Sequence, residues 1–122
     1  MRREVLIIDD LPDIRDLVAA ILAMQGHGVD MAEDGMEGLN MAHAKKYDII
    51  ISDIDMPSMD GIEFYKRLIK TMPFMKQRVL FITGNKEREG DTFLQKMGAR
   101  CLAKPFTPAD LLEALHEIDA LY

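Results

Sequence analysis

The chain has 122 residues, 48% hydrophobic and 30% charged, with a net charge of −6 at pH 7. That length and balance suit one globular domain with a real core. The acidic balance, with no basic run, argues against non-specific nucleic-acid binding, and the one cysteine, Cys101, excludes an internal disulfide and suits a reducing compartment, so a cytoplasmic setting is expected.

Met1-Arg2-Arg3 leads into an apolar run too short for a signal peptide, and no stretch approaches the ~20 apolar residues that span a bilayer. Residues 4–8, EVLII, predict a buried strand ended by Asp9 and Asp10. Pro12 sits near the first turn of a helix running to about Gln25, with Ile14, Leu17, Val18, Ile21 and Leu22 as its apolar face. Gly26 and Gly28 stop it. A short second strand follows at 29–32, a turn at Asp34-Gly35, and a second helix from Met36 to Lys45.

Residues 48–52 predict a third strand, so Asp53 lies where it ends, with turn residues Pro57 and Gly61 beyond. Asp60 is read as the cap of a third helix that buries Ile62, Tyr65, Leu68, Ile69 and Met72 and stops at Pro73. A fourth strand at 78–82 leads to Thr83-Gly84-Asn85. The stretch 86–97 is a poor helix: it is mostly charged, carries Gly90 in its middle, and is expected to be the least stable element. A fifth strand at 100–103 precedes Lys104-Pro105-Phe106, and Thr107-Pro108 opens a last helix with Leu111, Leu112, Leu115 and Ile118 inward. Strands alternating with helices imply a parallel sheet covered on both faces. The loops after the first, third, fourth and fifth strands then open on one edge, gathering Asp9, Asp10, Asp53, Asp55, Thr83 and Lys104.

Clustered carboxylates repel one another, and a hard divalent cation relieves this better than protonation. Oxygen-only ligands select Mg²⁺, or Mn²⁺, over zinc. An aspartate beside such an ion can attack phosphorus, while the ion and a lysine neutralise charge on the transferred group. The residue types therefore suit phosphoryl transfer to Asp53. His27, His43 and His116 lack metal-ligand spacing and are read as incidental.

The motifs VLIIDD (5–10), DIDMPSMDG (53–61), FITG (81–84) and AKPF (103–106) closely resemble those of the receiver domain of two-component response regulators, and the resemblance covers essentially the whole chain. It implies a doubly wound, flavodoxin-like α/β fold: a five-stranded parallel sheet in order 2-1-3-4-5 with five helices. It implies that Asp53 accepts phosphate from a phosphohistidine of a sensor histidine kinase or histidine phosphotransfer protein. Asp10 is implied as a direct Mg²⁺ ligand, Asp9 as one acting through water, and the backbone carbonyl of Asp55 as completing the metal site. Thr83 resembles the family's switch hydroxyl and Lys104 its ion-pair partner, followed by a cis bond to Pro105. Residues 1–122 are then one receiver domain without an output domain, acting as a self-phosphorylating switch rather than a turnover enzyme. It would be a monomer or a phosphorylation-linked homodimer, with no membrane or nucleic-acid partner. An effector of unknown identity would read the face of the fourth helix, fifth strand and fifth helix.

One position departs from the family pattern. Cys101 stands where receivers often carry Tyr or Phe, so the usual aromatic gate is absent. This keeps open an alternative, a receiver-like interaction module that works without phosphorylation. A phosphatase of the haloacid-dehalogenase type would also use Asp53-Ile54-Asp55, but it expects Thr or Val where Pro57 stands.

Overall fold

The computed structural model describes residues 2–84 and 92–121. Five parallel strands, β1 (Glu4–Ile8), β2 (Gly28–Ala32), β3 (Ile49–Asp53), β4 (Val79–Thr83) and β5 (Arg100–Ala103), form one sheet in the order β2-β1-β3-β4-β5. Helices α1 (Pro12–Met24), α2 (Gly35–Ala44), α3 (Gly61–Thr71), α4 (Thr92–Met97) and α5 (Pro108–Asp119) connect and cover it, with a 3₁₀ turn at Pro73–Met75. The expected α/β fold and strand order are therefore observed. Of the weak helix predicted at 86–97, Thr92–Met97 is helical, while residues 86–91, Gly90 among them, lie outside the described residues, as does Asn85 before them.

The sheet divides the core in two, and strand alternation assigns each residue to a side. Leu6, Ile8, Ile50, Val79 and Phe81 pack with Leu39, Phe64, Tyr65 and Leu68 from α2 and α3. Val5, Ile7, Ile49, Ile51, Leu80 and Ile82 pack with Val18, Leu22, Leu111, Leu115 and Ile118 from α1 and α5. Burial on both faces is why β1, β3 and β4 read as unbroken apolar runs.

Two helix faces differ from expectation. Leu17 is 48% exposed: it lies outside the stripe formed by Val18 and Leu22, which pack on the sheet. Phe64, not expected inward, is wholly buried and sits one turn before Leu68 on the inner face of α3. Asp60 caps α3 as expected, its side chain accepting from the Glu63 amide at 2.9 Å. Thr107 and Asp110 form a reciprocal capping box at the start of α5. His43, read as incidental, ties α2 to α3: its ring nitrogens hydrogen-bond the Leu39 carbonyl at 2.8 Å and Thr71 Oγ1 at 2.9 Å.

Candidate functional site

Asp9 and Asp10 follow β1, Asp53 is the last residue of β3, Thr83 the last of β4, and Lys104 follows β5. Parallel pairing brings these ends to the same edge, beside the point where the strand order reverses between β1 and β3. Backbone hydrogen bonds hold the ends in register beyond the strands: Asp9 N–H donates to Ala32 O at 3.2 Å, Ile54 N–H to Ile82 O at 3.0 Å, and Lys104 N–H to Thr83 O at 2.9 Å. The Lys104–Pro105 bond is cis.

Asp9, Asp10 and Asp53 each present a carboxylate oxygen, and the three atoms lie within 4.8 Å of one another. Asp9 and Asp53 are buried, 2% and 3% exposed. Lys104 Nζ lies 3.6 Å from Asp53 Oδ2 and 4.0 Å from Asp9 Oδ2. Burial pushes the Asp53 carboxyl up to about 6, the Asp9 charge adding to the rise, while Lys104 and the Asp55 amide pull it down. Burial also raises Asp9, opposed by the hydrogen bond from the Leu11 amide and by Lys104.

The first acid is fixed by its own turn. Leu11 N–H donates to Asp9 Oδ1 at 2.9 Å, and Arg15 Nη1 donates to the Asp9 carbonyl at 2.9 Å. Arg15 was not singled out from the sequence, because its partner is a backbone carbonyl one helical turn and a loop away. Gly61 is a second position that sequence reasoning treated only as a turn. A Cβ there would lie 2.4 Å from the Asp53 carbonyl oxygen, so only glycine lets α3 start this close to the end of β3. Ser58, in the same loop, has a positive φ of 69°.

Asp55 is exposed and contacts both Asp53 and Thr83. Its N–H donates to Asp53 Oδ1 at 3.2 Å, and its Oδ2 accepts from Thr83 Oγ1 at 3.1 Å. An open cleft of about 760 Å³ borders the acids through Asp10, with Arg15, Asp34, Pro57 and Met59 among its walls.

The residues present fit a hard divalent cation. All donors are oxygens, and three carboxylates face one ion-paired lysine, leaving negative charge in excess. Asp10 Oδ1 is buried and accepts no hydrogen bond from the described residues, the condition of a carboxylate oxygen reserved for another ligand. Cys101, on β5, is half-buried and packs against the α2/α3 side of the core.

Residues 5–116 match the family model described as "Response regulator receiver domain". Protein PilH of Pseudomonas aeruginosa is 30% identical over 93% of this chain and 95% of its own length. A probable transcriptional regulator of Porphyra purpurea, ycf29, is 30% identical over 97% of this chain, which spans only 57% of that protein. Among solved structures, the chemotaxis protein CheY4 of Vibrio cholerae is 34% identical, with a TM-score of 0.87 over 97% of this chain and 99% of that one. Response regulator protein TrrA of Thermotoga maritima, solved in complex with Mg²⁺ and BeF, is 27% identical, with a TM-score of 0.85 over 95% of this chain and 98% of that one.

Proposed function

This chain belongs to the response regulator receiver family, and on that premise we propose that it is a phosphorylation-dependent signalling switch whose acceptor is Asp53. The observation that carries the reading is the cluster of Asp9, Asp10 and Asp53 within 4.8 Å, with Lys104 ion-paired to the central acid. A carboxylate oxygen of Asp53 attacks the phosphorus of a donor phosphohistidine. The new O–P bond forms as the P–N bond breaks, and the released imidazole takes a proton from solvent. The attack needs an ionised carboxylate, which an acid titrating at about 6 supplies at pH 7.

Asp9, Asp10, Asp53 and the backbone carbonyl of Asp55 would hold Mg²⁺. When bound, the ion would neutralise charge on the acids and on the incoming phosphoryl oxygens. Lys104 follows the charge as it moves onto the phosphoryl group. Thr83 donates its hydroxyl to a phosphoryl oxygen once transfer is complete. Water attack on phosphorus later breaks the acyl phosphate, returning the carboxylate and inorganic phosphate, so the chain resets itself without turning over an external substrate. The donor is a histidine kinase or phosphotransfer protein, and the readout is the face of α4, β5 and α5.

Intact-mass spectrometry after incubation with Mg²⁺ and acetyl phosphate tests this. One added phosphoryl group is expected, lost in Asp53→Asn and in the presence of a chelator. No gain on folded protein that binds Mg²⁺ would overturn the switch reading and leave a phosphorylation-independent interaction module.

A further inference from the structure

The hydroxyl of Thr83 is buried with its residue, 1% exposed, yet it points to a group other than the phosphoacceptor: it donates to Asp55 Oδ2 at 3.1 Å. A threonine hydroxyl carries one proton, and an ionised carboxylate can only accept, so the direction of this bond is fixed. While that proton is on Asp55, it is not available to a phosphoryl oxygen on Asp53. Asp55 is itself anchored to the acceptor, its amide donating to Asp53 Oδ1 at 3.2 Å. One residue thus grips the acceptor through its backbone and the switch hydroxyl through its side chain.

We propose that Asp55 is a positioning residue that latches the Thr83 hydroxyl away from the phosphoacceptor and so sets the threshold at which the switch engages. The proposal rests on the phosphoryl-acceptor reading above. Two effects oppose engagement together. The Thr83 proton must leave a charged acceptor, and a charged acceptor makes the stronger bond. The Asp55 carboxylate also repels the negative charge that arrives on Asp53. Because Asp55 is exposed, water competes for its oxygens, so the latch can be released rather than locked.

The test uses Asp55→Ala, Asp55→Asn and Thr83→Val, singly and in the Ala/Val combination, with circular dichroism to establish that each is folded. The first readout is the Thr83 χ1 rotamer in metal-free protein, from three-bond NMR couplings. A single rotamer is expected in the wild type and in Asp55→Asn, which keeps an acceptor, and averaging in Asp55→Ala. The second readout is affinity for beryllium fluoride in the presence of Mg²⁺. Asp55→Ala should tighten it about fivefold, and the Thr83→Val penalty should grow from about threefold in the wild type to about tenfold beside Ala at 55.

An unchanged Thr83 rotamer in Asp55→Ala would overturn the latch. Equal tightening by Asn and Ala, with the same Thr83→Val penalty in both backgrounds, would also overturn it, since Asp55 would then act by charge alone. Failure of the wild type to bind beryllium fluoride at all would sink the phosphoryl-acceptor reading. The rotamer measurement would still decide whether Asp55 holds Thr83.

Discussion

At pH 7 the ionised side chain of Asp53 sits in the fold at a cost. Its pKa lies near 6 in the folded chain against an ordinary value of 3.8, chiefly because burial disfavours the charged form. The sign follows from linkage. The folded state holds the proton more tightly than the unfolded chain, so this group favours folding below pH 3.8, and that contribution is lost as pH rises to about 6. Asp53→Asn should therefore stabilise the metal-free protein by about 1–3 kcal/mol at pH 7, and by much less at pH 4. Urea unfolding at the two pH values, with chelator present, checks this; equal stabilisation at both would show that the gain is not electrostatic. Asp9, Asp10, Asp53 and Lys104 could be placed at one sheet edge from the sequence because each stands at the end of a short run read as a strand, whereas their individual roles came from the family resemblance. The Thr83–Asp55 bond was not. It joins the end of β4 to a loop residue 28 positions earlier in the chain, and its existence depends on side-chain torsions that no residue spacing encodes.

At the level of elements, the start of α3 is the tightest joint in the site. A methyl group at residue 61 would meet backbone on both sides, 2.4 Å from Asp53 O and 2.8 Å from Ile54 Cα, and backbone cannot swing aside as a side chain can. Gly61→Ala should cost roughly 2–4 kcal/mol of stability and slow phosphoryl uptake by moving Asp53. Thermal unfolding and the acetyl phosphate reaction measure the two effects. Normal stability with normal uptake would show that the loop relaxes freely. Element types and caps were readable because Pro12, Asp60 and Thr107-Pro108 mark helix starts by their chemistry. Helix faces were less so. Leu17 fits the apolar count of α1 but lies outside the buried stripe, and Phe64 lies on a face that only its packing beside Gly38 of α2 identifies.

For the whole molecule, the order β2-β1-β3-β4-β5 is what turns separate strand ends into one acid cluster. Alternating strands and helices pointed to a parallel sheet, but the order came from family resemblance, since periodicity carries no information on which strand neighbours which. If the cluster takes Mg²⁺, binding is coupled to folding. At about 100 times the dissociation constant the ion should add about 2.7 kcal/mol of stability, raising the melting temperature by roughly 8–13 °C. Asp10→Asn should abolish most of that rise, and a chelator should reverse it in the wild type. A rise that survives Asp10→Asn would place the ion elsewhere.

The shallow burial of β5 has a consequence for the order in which the molecule comes apart. Its four residues are all only half-buried, whereas every residue of β3 and β4 is buried. An outer strand with little buried surface opens at lower free energy than the sheet it borders. Lys104 hangs from its end, tied back by the hydrogen bond that its backbone N–H donates to Thr83 O. Each brief detachment of that edge removes the counter-charge from Asp53 and Asp9 while the carboxylates stay in place on β1 and β3. Amide exchange in 100–104 should then report the charge balance of a cluster two strands away, slowing whenever a negatively charged group on Asp53 gives the lysine more to hold.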